Sequence, residues 1–192
     1  TVHAAVRSPD NKKKTKYLDE IAANAPGEIK YFKADLLEEG SFDEAAKGCE
    51  LIFHTASPFT LSIKDPQKDL VDPALNGTRN VLNAATKSGT VKRVVVTSSC
   101  AAIYGDAKDT LSMPNQTLKE DVWNTTSSLE HQPYSYSKTL AEKEAWKMMK
   151  DQAQWDVVAI NPSFVVGPGI NPHGTSETLS LIHISEPTRL GM

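Results

Sequence analysis

Apolar and polar positions along the chain fall into a repeating order: a short apolar run, then a longer stretch in which apolar residues recur at helical spacing. "TVHAAVR" predicts a strand that ends at Arg7. "SPDNKKKTKYLDEIAANAPG" predicts a loop and then a helix, closed by Pro-Gly. "IKYFKADL" predicts a second short strand with a turn after Ala34. "SFDEAAKGC" carries a serine cap and an acidic first turn, which predicts a short helix stopped at Gly48. "ELIFHTASP" predicts a third strand running into a loop. In "DPQKDLVDPALNGTRNVLNAATKSG" the residues Leu70, Val71, Leu75, Val81 and Leu82 form one apolar helical face. "VKRVVVTSS" is almost wholly apolar and β-branched, as in a central strand buried on both faces. A polar insertion over 106–133 precedes a helix from Tyr134 to about Gln152, and "WDVVAINPS" predicts the next buried strand.

Strand and helix alternate throughout, which predicts an α/β domain built on a doubly wound parallel sheet. In such sheets the chemistry gathers where strands end and loops begin. "HTASP", "TSSCAAIYG" and "NPSFVVGPG" all lie at predicted strand ends. No internal repeat or low-complexity segment is present.

Composition narrows the function. The 192 residues carry a formal net charge of -3, with a pI of about 5.9. No basic field favours nucleic acid as a partner. No apolar run approaches the roughly 18 residues of a membrane span. Cys49 and Cys100 have no motif spacing, which suits small core residues in a reducing, cytoplasmic setting. No signal peptide is visible in a chain that begins at Thr1. His3, His173 and His183 lack metal-ligand spacing, so no metal site is expected. "LSLIHISEPTR", residues 179–189, matches the translation of a sequencing adapter. The expected native sequence therefore ends near Leu179, with one domain over 1–178 and a foreign tail over 179–192.

Candidate chemistry starts at "YSYSK". Tyr134 and Lys138 are four residues apart, and on a helix they share one face. A neighbouring ammonium favours the phenolate and lowers a tyrosine's pKa. Such a phenol can give a proton to a carbonyl oxygen as hydride reaches the carbon. Tyr136 projects elsewhere and reads as packing or pocket wall. Ser98 and Ser99 supply hydroxyls at the end of a buried strand, where a carbonyl would be held. Local backbone bonding is the competing use for either serine.

Taken in order, "TSSCAAIYG", "YSYSK" and "NPSFVVGPG" resemble the extended short-chain dehydrogenase/reductase family. "FKADLLEEGSFDEAAKGCELIFHTASP" is similar to its branch of dihydroflavonol, cinnamoyl-CoA and general aldehyde and ketone reductases. The resemblance implies a Rossmann-type fold and a Ser-Tyr-Lys set at Ser99, Tyr134 and Lys138. It implies that Tyr134 donates the proton, that Lys138 binds the nicotinamide ribose, and that Ser99, not Ser98, holds the substrate oxygen. Arg7 stands where an acidic residue would select NAD, and Lys12, Lys13 and Lys14 follow it, which favours NADP. The resemblance puts Arg7 and Lys14 on the 2′-phosphate, Asp35 and Leu36 near adenine, and Thr55, Ala56 and Pro58 along the dinucleotide. Pro162 and Ser163 line the nicotinamide side, beside Tyr134 and Lys138.

The sequence departs from that family in two ways. The Gly-rich turn that cradles the pyrophosphate and the C-terminal substrate domain are not found in it. The expectation is therefore a reductase gene product of which this chain, alone, binds cofactor weakly and is inactive. Gln132 and Pro133 replace the Asn-Trp that cinnamoyl-CoA reductases carry before the tyrosine. Tyr104 stands near where dihydroflavonol reductases place an asparagine. An aldehyde or ketone of moderate size is the expected small-molecule substrate. A nucleotide-sugar epimerase or dehydratase and a non-catalytic NADP-binding protein are the rival readings. The helices at 68–89 and 134–152 pair between subunits in this family, so a homodimer is compatible with the sequence.

Overall fold

The structure, a computed structural model, describes residues 1–57 and 63–165. Pro58, the segment from Val166 to residue 178 and the tail over 179–192 lie outside the described residues.

Two parallel sheets form the frame. β1 (Val2–Val6) pairs with β2 (Ile29–Lys33), in register from Val2 opposite Ile29 to Val6 opposite Lys33. β3 (Leu51–His54), β4 (Arg93–Thr97) and β5 (Asp156–Ile160) form the second sheet, with β4 in the middle. Four α-helices join the strands among the described residues: α1 (Lys12–Ala23), α2 (Asp43–Ala46), α3 (Asp72–Ser88) and α4 (Pro133–Lys150). A single π turn, Gln67–Val71, leads into α3.

The single sheet expected from the alternation is thus divided. The break falls between β1 and β3, which do not pair with each other. In the doubly wound order 3-2-1-4-5-6, removal of the first strand opens a break at this same place.

α3 and α4 cover one face of the three-stranded sheet. Leu82 and Ala85 of α3 and Ala145 of α4 pack against Val94, Val96 and Val157, with Val91 and Trp155 closing the cluster. Removing each of the larger side chains from water contributes roughly 1.5–3 kcal/mol. The opposite face is less covered: Val95 is only half-buried and Phe53 is 66% exposed. β4 is therefore buried on one face, not on both as its composition predicts.

Ser41 also departs from expectation. Its hydroxyl does not cap α2. It donates to the carbonyl of Asp35 at 2.7 Å and accepts from the Asp35 N–H at 3.1 Å. Ser41 therefore fastens the turn that follows β2. That turn meets α3: Asn80 donates to the carbonyl of Leu36 at 2.7 Å. A side-chain carbon added at Gly77 would stand 3.1 Å from Leu36 Cδ2, so this contact requires glycine or a shift of the leucine. These contacts bring the ends of β2, β3 and β4 to one edge. Among the described residues no helix is long and apolar enough to cross a membrane.

Candidate active site

α4 begins at the site. Pro133 occupies its first turn, where a missing N–H has no cost. Gln132, just before it, is held in the left-handed region at φ 55°. Its side chain donates to Asp106 at 2.7 Å, and His131 bonds the other oxygen of Asp106 at 2.9 Å. The 106–133 insertion thus anchors the start of the helix that carries Tyr134 and Lys138. It is itself folded tightly: a side-chain carbon at Gly105 would lie 2.5 Å from Ser127 Oγ.

One helical turn separates Tyr134 from Lys138, and the Lys138 ammonium lies 5.7 Å from the centre of the Tyr134 ring. Lys138 is buried, and Nζ donates to Ser57 Oγ at 2.8 Å. Burial pushes the ammonium pKa down to about 8. Tyr134 does not follow the simple expectation of an acidified phenol. Its pKa is raised, because burial disfavours the phenolate; a hydrogen bond with Ser99 acts in the opposite direction, and Cys100 adds to the rise. Loss of water around the phenol outweighs the hydrogen bond with Ser99.

The two serine hydroxyls have different partners. Ser98 is buried, and its hydroxyl donates to Glu142 of α4 in a short hydrogen bond. Ser99, in extended backbone, accepts from the N–H of Ala101 at 3.2 Å and shares a hydrogen bond with Tyr134. The structure therefore brings Ser99, Tyr134 and Lys138 together, while the Ser98 hydroxyl is taken by Glu142. Pro162 is tied to this loop, because its carbonyl accepts from the N–H of Cys100 at 3.0 Å. Ser163 follows it and is exposed.

Other groups at the site were not singled out for it by the sequence. Glu142 lies one turn beyond Lys138, and Asn161 follows β5. Asn124 is buried in the insertion, and its amide donates to the carbonyl of Ala101 at 2.9 Å. Regular spacing from Lys138 was the one signal for Glu142; Asn161 opens the strand-end motif "NPSFVVGPG", and nothing marked Asn124. His54, at the end of β3, is buried, and its pKa is pushed down to about 4, by burial first and the Lys138 charge second. The imidazole is therefore neutral at neutral pH. Cys49 and Cys100 are free thiols and only half-buried, so neither is a full core residue.

Leu36, His54, Ser57, Gly77, Ser98 and Lys138 line a crevice at this edge, with an enclosed space of about 20 Å³, room for about one water. Ala56 also lines the crevice, and Thr55 follows β3 and is exposed. Asp35 is occupied within its own turn, accepting from the Leu37 N–H at 2.9 Å. Arg7 and Lys14 lie outside the crevice, exposed after β1 and in the first turn of α1. Neither forms an ion pair among the described residues, whereas Lys12 is paired with Asp19 at 3.5 Å. Two cations without a partner suit a phosphate, and a polar edge with one buried ammonium suits ribose hydroxyls. These residues fit a phosphorylated dinucleotide.

Several known proteins are similar to this chain. A cinnamoyl-CoA reductase from Medicago truncatula is 42% identical over 187 residues, covering 96% of this chain and 56% of that protein. Tetraketide alpha-pyrone reductase 2 from Arabidopsis thaliana is 40% identical, covering 97% of this chain and 58% of its own length. The crystal structure of the yeast methylglyoxal/isovaleraldehyde reductase Gre2 complexed with NADPH superposes with a TM-score of 0.72 at 31% identity, over 87% of this chain and 52% of that one. The chain thus spans about half the length of the curated relatives it matches. Residues 1–185 match one family as a unit, and with the parallel sheets and the Ser99–Tyr134–Lys138 edge this settles the lineage: the chain belongs to the NAD dependent epimerase/dehydratase family.

Proposed function

We propose that this chain forms the cofactor-binding part of an NADPH-dependent reductase that converts an aldehyde or ketone to an alcohol. One observation carries the reading: the Tyr134 phenol, bonded to Ser99, stands one helical turn from the buried Lys138 ammonium at the carboxyl edge of a parallel sheet. Reductase relatives and the NADPH complex of Gre2 support the reaction class and the cofactor.

When bound, NADPH supplies a hydride to the carbonyl carbon. The chain's own residues handle the oxygen. Ser99 Oγ and Tyr134 Oη both donate to it and fix the carbonyl. As negative charge builds on the oxygen, Tyr134 transfers its proton there. A phenol with a raised pKa is fully protonated at neutral pH, which is the state a donor needs. Lys138 stabilises the tyrosinate left behind and holds ribose hydroxyls. Arg7 and Lys14 take the 2′-phosphate, with Asp35, Leu36, Thr55, Ala56 and Pro58 along the dinucleotide and Pro162 and Ser163 beside nicotinamide. The Gly-rich turn for the pyrophosphate belongs to a strand that would fill the break between β1 and β3.

The expected substrate is a carbonyl compound of moderate size, in a cytoplasmic enzyme; a homodimer through α3 and α4 is compatible with this reading. Gln132 and Pro133 set it apart from cinnamoyl-CoA reductases despite the 42% identity to one of them. A nucleotide-sugar epimerase is the second reading, favoured by the family's breadth and opposed by Arg7. The test is a panel of aldehydes, ketones and nucleotide sugars, assayed with NADPH on the whole protein that carries this chain. Turnover of a carbonyl compound that Tyr134→Phe abolishes supports the reading. Turnover of a nucleotide sugar alone would replace it. The coding DNA around residues 179–189 tests the adapter assignment separately.

A further inference from the structure

Glu142 is a carboxylate buried in the interior, only 6% exposed. It forms no ion pair among the described residues. A carboxylate without a charged partner is costly to bury unless hydrogen bonds replace its water. Three neutral donors do so, from three segments. Ser98 Oγ, after β4, and Asn161 Nδ2, after β5 at 2.8 Å, share Oε2; Trp146 Nε1 on α4 reaches Oε1 at 3.2 Å. The carboxylate therefore joins α4 to the carboxyl ends of β4 and β5.

The joint leads to Ser99. The same Asn161 amide donates to the Ser99 carbonyl at 3.1 Å. Around it, the Ser98 N–H donates to the Ile160 carbonyl at 2.8 Å and the Cys100 N–H to the Pro162 carbonyl at 3.0 Å. Ser99 lies between two residues whose positions depend on this lattice, and its own hydroxyl is bonded to Tyr134.

We propose that Glu142 is a positioning residue that sets the distance between the Ser99 and Tyr134 hydroxyls, by clamping Ser98 and Asn161 against the helix that carries Tyr134. The proposal rests on the reading of Ser99, Tyr134 and Lys138 given above. Glu142 lines the crevice beside Lys138, but both of its oxygens are taken up by Ser98, Asn161 and Trp146. Its influence passes through Asn161 and Ser98 to the Ser99 backbone. A glutamine there keeps the shape but replaces one acceptor oxygen with a donor, so one of the three donors loses its acceptor.

The experiment is steady-state kinetics on the whole protein, with NADPH and a carbonyl substrate that it reduces. Glu142→Gln lowers kcat by about 10- to 100-fold, the range expected for a displacement near 1 Å, and changes KM for NADPH by less than about threefold. The limbs of the pH profile stay in place, because no proton passes through Glu142. In a Ser99→Ala background the same change lowers kcat by less than about threefold, since no hydroxyl remains to be misplaced. Equal loss in both backgrounds would reduce Glu142 to a general stabilising role and overturn the proposal. So would an unchanged kcat, or a shifted pH limb. If Glu142→Gln does not fold, Asn161→Ala removes the bond to the Ser99 carbonyl and is held to the same Ser99-dependent loss. Tyr134→Phe separates the two ideas. Retained turnover there removes the reductase mechanism and this proposal together, whereas loss there with wild-type kcat in Glu142→Gln removes the clamp alone.

Discussion

β4 and β5 are tied together by a carboxylate at each end, and the two ties differ in their surroundings. At the amino end Asp156 accepts two bonds of 2.7 Å from Arg93, its neighbour across the sheet. Both side chains are about half exposed, at 54% and 52%. At the carboxyl end Glu142 accepts from Ser98, Asn161 and Trp146 in the interior. The amino-end pair has full charges and short distances, yet water competes for both partners. The carboxyl-end cluster has one charge and neutral donors, and any donor left without an acceptor there costs about 1–3 kcal/mol. The contacts that are costlier to break therefore lie at the end where Ser99 and Tyr134 meet. The comparison teaches that burial, more than formal charge, decides what a broken contact costs at each end of a strand pair.

The largest effect that would sharpen this comparison is on turnover. Tyr134→Phe removes one hydroxyl from the carboxyl edge and leaves its packing. It should lower kcat by about 10²- to 10⁴-fold, the usual contribution of a positioned proton donor. Arg93→Met at the amino edge should leave kcat unchanged. Comparable losses in the two variants would mean that the edges are not functionally distinct.

Acid stability comes next. His54 stays neutral in the fold until about pH 4, while an unfolded imidazole takes up a proton near 6.5. Between these values the unfolded chain binds more protons, so stability falls as pH drops from 6.5 toward 4 and gains nothing from this group above 6.5. The full drop is worth roughly 3 kcal/mol. The facing charge is Lys138, whose repulsion adds to the effect of burial. Urea midpoints for the wild type and His54→Asn should approach each other as pH is lowered from 7 to 4. Parallel decline of the two would show that the imidazole is accessible to water.

Much of this arrangement was legible in the sequence, and the gaps have physical causes. Strands and helices followed from apolar period, and β1 to β5 fall where the runs predict. Spacing of four put Tyr134 and Lys138 on one face. What spacing could not give was the sign of the Tyr134 shift, because that depends on how much water the folded chain removes. The choice between Ser98 and Ser99 came from resemblance; no local pattern showed that the Ser98 hydroxyl bonds Glu142, a residue 44 positions away. Ser41 misled for a related reason: a serine before an acidic turn reads as a cap, yet the backbone of Asp35 came within reach first. The division into two sheets depends on pairing between distant strands, which no local pattern records.

A third prediction asks whether exposure or edge decides the role of a charge. Arg7 is at the carboxyl edge but is exposed. If its task is to meet a 2′-phosphate, Arg7→Ala should raise KM for NADPH by about 10- to 100-fold, as for a lost charge-assisted hydrogen bond. KM for NADH, which lacks that phosphate, should not move. Equal changes for both cofactors would place Arg7 elsewhere on the dinucleotide or in the fold.

The smallest effect belongs to the amino-end pair itself. Asp156 has its pKa lowered, chiefly by the hydrogen bond from Arg93. A depressed carboxylate contributes stability above its unfolded pKa, and that contribution is lost as pH falls through the folded value. Asp156→Asn should therefore shift the melting midpoint slightly at pH 7 and not at all in strong acid, where the wild-type carboxylate is protonated. Added salt near 1 M, which shortens screening to about 3 Å, should remove the pH 7 difference as well. A double-mutant cycle with Arg93→Met would isolate the pair. A coupling as large as that of a buried network, insensitive to salt, would break the comparison, because an exposed tie would then hold β4 to β5 as firmly as the one around Glu142.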